Sequence, residues 1–232
     1  MKLVKAGFTI LNQVDRNAIL AAIEAAGRTC YKSEDKITDA SAEKFVIDII
    51  ARGHESVLEH QSISVRIICD RGVSHELVRH RIASFSQEST RFCNYSKNGH
   101  VTFIIPPWTV VAPGIYPIKW NHLIGSIDPI KELPPADNVW FWNCAIAERD
   151  YYNLLSCGWQ PQQARSALTN SLKTEIVITQ NLRQWRHFFK LRAAGEAGRP
   201  HPQMLEITVP MLAEFKRLIP IVFDDIEPIK PF

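Results

Sequence analysis

The sequence predicts an α+β fold, with helices packed against a small antiparallel sheet. Three observations carry that expectation. Stretches with helical periodicity outnumber those that alternate; the alternating stretches are short; and the two kinds do not follow one another in strict βαβ order. No internal repeat and no linker divides the chain, so residues 1–232 read as a single domain, long enough to bury most of its apolar surface.

Taken in order, "DRNAILAAIEAAG" predicts a helix with Asp15 as N-cap and Gly27 just past its end. Phe45, Val46, Ile49 and Ile50 recur at helical spacing in a second helix, which Gly53 stops. "SISVRIICD" alternates Ile63, Val65 and Ile67 with Ser64, Arg66 and Ile68 and reads as a strand. "SHELVRHR" reads as helical with Ser74 as N-cap, and "HVTFIIP" as a strand closed by Pro106 and Pro107. Half of the 14 prolines lie between Pro106 and Pro135, so that segment is expected to be an irregular surface excursion. A long aromatic-rich helix follows, capped by Asp137 or Asn138 and stopped at Gly158. Pro161 suits the first turn of "PQQARSALTNSL", "TEIVITQ" a strand, and "NLRQWRHFFKLR" a helix. "HPQMLEITVPMLAEFKRL" is the final helix, with a bend expected at Pro210.

The net charge of +3 is small for a protein that lives on nucleic acid, so a polyanionic partner requires positive charge concentrated locally. The five scattered cysteines include no CxxC pair, so neither a disulfide framework nor a zinc knuckle is indicated. The N-terminal stretch lacks the apolar core of a signal peptide, and runs such as "FVIDII" fall far short of a membrane span. A cytoplasmic location is the expectation. No GxGxxG turn, GxxxxGK[ST] loop or GxSxG elbow occurs.

Candidate chemistry gathers in four stretches. In "RHRIASFSQESTRF", helical residues would project about 100° apart, so Arg79, His80 and Arg81 would face three directions. The hydroxyls that follow, with Arg91, supply what a phosphate needs, because a guanidinium matches two phosphate oxygens at once. A solvated basic helix end is the plainer alternative. "GHESVLEH" offers His54, Glu55, Glu59 and His60, but neither the HExxH nor the inverted HxxEH spacing is met, so no metal is expected. In "NLRQWRHFFKLR", Asn181, Trp185, Phe188 and Arg192 share one helical face, with Arg183, Arg186, His187 and Lys190 opposite. That face would flank a planar ring system, or simply pack in a core beside a solvated basic side. Arg165 in "QQARSAL" adds a cation.

Arg79, His80 and Arg81, then seven residues, then Ser89 match the RHRx7S motif, and the chain resembles the flavin-dependent thymidylate synthases. The likeness extends through "GHESVLEH", "QQARSAL" and "NLRQWRHFFKLR…HPQM" in the same order. It implies the mixed α+β fold of that family and a methyltransferase that converts dUMP to dTMP. Methylenetetrahydrofolate would be the carbon donor, and FAD the hydride carrier reduced by NADPH. It further implies a homotetramer with shared active sites, and no nucleic-acid or membrane partner.

Carried over by resemblance, His54, Ser56, Arg79, His80, Arg81, Gln87, Asn181, Arg183 and His187 are flavin contacts. Glu76, Arg79, Gln87, Glu88, Ser89, Thr90, Arg91, Arg165 and Arg192 are dUMP contacts. Arg192 is the catalytic group, a cation that favours loss of the uracil N3 proton. Two readings from other classes compete: a nucleic-acid-binding module using the same cations, and a zinc hydrolase.

Overall fold

The computed structural model describes residues 1–121, 124–126 and 133–230. The chain runs through β1 (Lys2–Val4), β2 (Gly7–Ile10), α1 (Arg16–Tyr31), α2 (Ser41–Ala51), β3 (Ser62–Asp70), α3 (Arg71–Leu77) and β4 (Ser84–Gln87). It continues through β5 (Thr102–Ile104), β6 (Gly114–Ile115), β7 (Lys119–Asn121), β8 (Ile124–Ser126), α4 (Pro135–Ser156) and α5 (Pro161–Ala164). Last come β9 (Lys173–Asn181), α6 (Leu182–Arg192) and α7 (Pro202–Leu218). The α+β expectation holds. No helix among the described residues is long and apolar enough to cross a membrane.

These elements form two compact units whose segments interleave in sequence. The first comprises Met1–Gly7, Ile68–Val78 and Gln87–Ile176. In it β1 pairs parallel with β5 and antiparallel with β6, so the β1–β5 pair departs from the antiparallel expectation. Leu3 and Phe103, with Phe141, Cys144 and Tyr151 of α4, belong to its core. The second unit comprises Phe8–Ile67, Arg79–Ser86 and Val177–Phe232. It carries most of a four-stranded sheet in the order β2-β3-β9-β4, and the chain crosses between units within these strands. Ile63, Val65 and Ile67 of β3 are buried at alternate positions, as a strand with one face on a core requires.

α6 builds the core of the second unit. Trp185 stacks on Phe189 at 5.7 Å and meets Phe188 edge-on at 5.5 Å, while Phe215 of α7 and Phe223 close the cluster. The indole N–H donates to the Ile63 carbonyl at 3.1 Å, so its one polar atom is satisfied. Each such ring contributes about 1.5–3 kcal/mol by burial. The aromatic face of α6 is therefore core and does not flank a ligand ring.

Several local expectations are corrected. Asp15 caps α1, accepting the Ala18 N–H at 3.1 Å, but the helix runs through Gly27 to Tyr31. Gly27 is a packing position: a Cβ there would collide with the Phe45 ring. Asp70, not Ser74, caps α3, accepting the Val73 N–H at 2.7 Å, and the helix ends at Leu77. Arg79–Arg81 are therefore not helical, and the three-way projection argued for them does not apply. Pro134 precedes α4; Asp137 instead accepts the Val110 N–H at 2.8 Å. The helix from Pro161 ends at Ala164, with one 3-10 turn at Arg165–Ala167. Between Pro106 and Pro135 lie three short strands, β6 to β8, so the segment is not wholly irregular; residues 122–123 and 127–132 lie outside the described ones.

Candidate active site

In the first unit the structure gathers the residues that follow β4. Gln87 donates through Nε2 to Ser74 Oγ at 2.9 Å and Thr174 Oγ1 at 3.2 Å, which ties the end of β4 to α3 and β9. The Glu88 N–H donates to the Glu175 carbonyl at 2.8 Å, while its carboxylate meets Lys173 Nζ at 3.0 Å. Lys173 also holds Glu175 at 2.5 Å, and the two carboxylates raise its pKa against the opposing effect of burial. Tyr95 lies near Glu88, and burial together with that carboxylate raises its phenol.

A turn follows. The Ser89 carbonyl accepts the Phe92 and Cys93 N–H groups, and Ser89 Oγ accepts the Arg91 N–H at 3.3 Å. Thr90 is buried, and its Oγ1 accepts from Arg165 Nη1 at 2.7 Å. Arg91 donates through Nε to Gln162 Oε1 at 3.1 Å. Two exposed guanidiniums are thus fastened, Arg165 to the Thr90 hydroxyl and Arg91 to the Gln162 amide oxygen, by residues 75 and 71 positions apart in sequence. Such an arrangement suits a phosphate, since the forks are oriented before any ligand arrives. Glu76 sits half-buried on α3 in the same unit.

The second unit holds the other group. His54 and Ser56 are exposed at the start of the 3-10 turn Glu55–His60, and Asn181 caps α6, its side chain accepting the Gln184 N–H at 2.9 Å. A cavity of about 460 Å³ is lined by Arg183, His187 and Lys190 of α6, together with Glu55, Glu59 and Ile82. Arg183 pairs with Glu59 at 2.5 Å, though both are largely exposed, a contact worth little to stability. Arg79 and Arg81 are exposed and make no ion pair among the described residues.

His80 and Arg192 form a hydrogen-bonded pair in this unit. Arg192 Nε donates to His80 Nε2 at 3.0 Å, and the ring meets Phe188 edge-on at 4.9 Å. Burial first, then the Arg192 guanidinium and His187, lower the His80 pKa from 6.5 to about 4. The imidazole is therefore neutral at pH 7. Because its Nε2 accepts, its proton resides on Nδ1. Thr208 Oγ1 donates to the Arg192 carbonyl at 2.6 Å, fixing the end of α6 as well.

The family model described as "Thymidylate synthase complementing protein" matches residues 14–221. The chain belongs to the flavin-dependent thymidylate synthase family. It is 32% identical over 215 residues to the flavin-dependent thymidylate synthase of Geobacter sulfurreducens, covering 90% of this chain and 82% of that protein. To the one from Corynebacterium diphtheriae it is 35% identical, covering 89% and 79%. The crystal structure of the UMP/dUMP methylase PolB from Streptomyces cacaoi shares the fold, with a TM-score of 0.74 over 97% of this chain and 96% of that one, at 18% identity.

In this member of the flavin-dependent thymidylate synthase family, one arginine lies elsewhere than the sequence predicts. Arg186, assigned to a solvated basic face, is 1% exposed. It reaches Glu55 at 2.9 Å, both oxygens of Asp225 at 2.6 and 2.7 Å, and the Val222 carbonyl. Burial alone would lower its pKa, but these acceptors raise it, and Arg186 in turn holds Asp225 below the ordinary carboxylate value. Lys173, which holds Glu88, carried no motif signal, and Gln162, which holds Arg91, stood in "QQARSAL" with no role assigned to it. Among the described residues no three His, Cys, Asp or Glu side chains converge as a metal site; Glu55 and Glu59 are committed to arginines. Cys69 and Cys144 are buried, which pushes each thiol up to about 12 and keeps both protonated at neutral pH.

Proposed function

We propose that the whole chain serves as one catalytic domain that converts dUMP to dTMP by reductive methylation. Methylenetetrahydrofolate is the carbon donor, and FAD reduced by NADPH is the reductant. The observation that carries this reading is the Arg192–His80 pair. A neutral imidazole accepting from Nε holds the guanidinium by that nitrogen without itself neutralising the charge. A positioned cation is what loss of the uracil N3 proton requires, since the charge is stabilised without reorganisation at the moment it appears.

The N3 anion pushes electron density to C5, which bonds the incoming carbon and later gives up its own proton. This activation replaces addition of a thiol, in keeping with the protonated state of buried Cys69 and Cys144. The carbon arrives as methylene and becomes methyl by gaining two electrons as hydride, which reduced FAD supplies when bound.

The residues present fit a flavin. Arg79, Arg81 and Arg183 offer exposed cations for its phosphates. His54, Ser56, His80, Gln87, Asn181 and His187 supply further polar contacts, and the cavity beside Arg183 and His187 offers space. Glu76, Arg79, Gln87, Glu88, Ser89, Thr90, Arg91 and Arg165 hold dUMP, with Arg91 and Arg165 gripping its phosphate and Ser89 donating to it. The cytoplasmic homotetramer with shared sites belongs to the same reading, on the strength of the family resemblance. The test is spectral. The purified protein is yellow or takes up FAD, and dUMP perturbs the flavin spectrum. A folded protein that neither retains nor accepts FAD refutes the proposal.

A further inference from the structure

The second unit contains another cavity, of about 550 Å³, lined by Arg28, Lys36, Lys44, Asp48, Arg52 and His54 among others. Four cations and one carboxylate face it, in a chain whose net charge is only +3. Arg28 is already engaged: it pairs with buried Glu24 at 2.9 Å and lies over the Phe45 ring at 4.8 Å. Lys36, Lys44 and Arg52 are exposed and make no ion pair or side-chain hydrogen bond among the described residues. None of these four cations has a part in the chemistry described above, and a cluster of like charges costs energy unless an anion neutralises it.

The spacing of the charges indicates which anion. Lys44 on α2 and Arg52, the residue that caps its C-terminal end in helical conformation, stand eight residues apart, so their attachment points are separated by about 12 Å of helix rise. A single phosphate is held by donors that converge on it. Cations strung out along a helix instead match a chain bearing separate carboxylates. An extended peptide covers roughly 3.5 Å per residue, and more when linked through side-chain carboxyls, so about three residues bridge that interval.

We propose that this cavity binds the glutamyl tail of the folate co-substrate, with Lys36, Lys44 and Arg52 pairing with successive carboxylates. The inference rests on the proposed use of a folate. His54 connects the two: it lines this cavity and also belongs to the flavin group, beside which the folate must deliver its carbon.

The test compares methylenetetrahydrofolate carrying one and three γ-linked glutamates, in the wild type and in Lys44→Gln/Arg52→Gln. The wild type shows a KM about tenfold lower for the triglutamate, and added salt shrinks that preference. In the double variant the preference falls to near one, while kcat and the KM values for dUMP and NADPH stay unchanged. Equal KM values for the two tails in the wild type overturn the proposal, as does a preference that survives the double substitution. So does a variant whose KM rises for NADPH instead, because the cavity would then hold a nucleotide phosphate. Calorimetry with a tri-γ-glutamate peptide at low ionic strength separates this inference from the function itself. Binding to the wild type and not to the variant supports the cavity even where no dTMP forms, and no binding to the wild type overturns it.

Discussion

Replacing His80 by Leu removes the acceptor for Arg192 Nε while roughly preserving volume. The hydrogen bond is 3.0 Å long and its donor is charged, a class worth about 1.5–3 kcal/mol. If its whole value lies in placing the guanidinium against the uracil edge, kcat/KM for dUMP falls by about 10- to 150-fold. His80→Gln, which offers an oxygen near the Nε2 position, restores much of that loss. FAD occupancy, read from absorbance, separates this effect from a lost flavin contact.

The same pair makes a pH prediction. The folded-state pKa of His80 is depressed from 6.5 to about 4. The unfolded chain therefore binds a proton that the folded chain refuses between those values. The contribution to stability is fully present above pH 6.5 and declines as pH falls toward 4. A fully buried group would give about 3 kcal/mol, and partial contact with solvent reduces that to about 1–2 kcal/mol. His80→Leu abolishes this part of the acid sensitivity in thermal melts between pH 7 and 4. A His80→Leu enzyme with wild-type kcat/KM, or a Gln variant as impaired as the Leu one at full FAD occupancy, would refute the positioning argument.

Asp225→Ala removes a bidentate partner of buried Arg186; a loss of about 2–3 kcal/mol, allowing for the exposure of Asp225, lowers Tm by about 4–10 °C in calorimetry. Thr90→Val deletes the acceptor that orients Arg165, so KM for dUMP rises about five- to tenfold in steady-state kinetics, while circular dichroism is unchanged. Lys173→Met leaves Glu88 and Glu175 facing each other; denaturant melts show a loss of about 1–2 kcal/mol, and dUMP titrations show weaker binding.

What could be read from the sequence was what depends on neighbours along the chain. The alternation of Ile63, Val65 and Ile67 announced β3, and Asp15 and Gly53 marked real helix ends because capping is decided within a few residues. Gly27 misled for a long-range reason: its missing side chain makes room for Phe45 of another helix. Ser74 misled as a cap because Asp70, four residues earlier, competes for the same role with a carboxylate. The buried state of Arg186 depends on Glu55 and Asp225, 131 and 39 residues away, and no local pattern encodes such partners. The candidate site shows the same division. The RHRx7S motif nominated candidate residues, whereas the Thr90–Arg165 and His80–Arg192 contacts, 75 and 112 residues apart, required the fold.

Formation of dTMP by the purified protein tests the central claim most directly, with dUMP, methylenetetrahydrofolate, FAD and NADPH each omitted in turn. The account predicts dTMP only in the complete mixture and its near-abolition in Arg192→Ala. A folded, flavin-loaded protein that makes no dTMP, or one that makes it equally well without flavin, would contradict it.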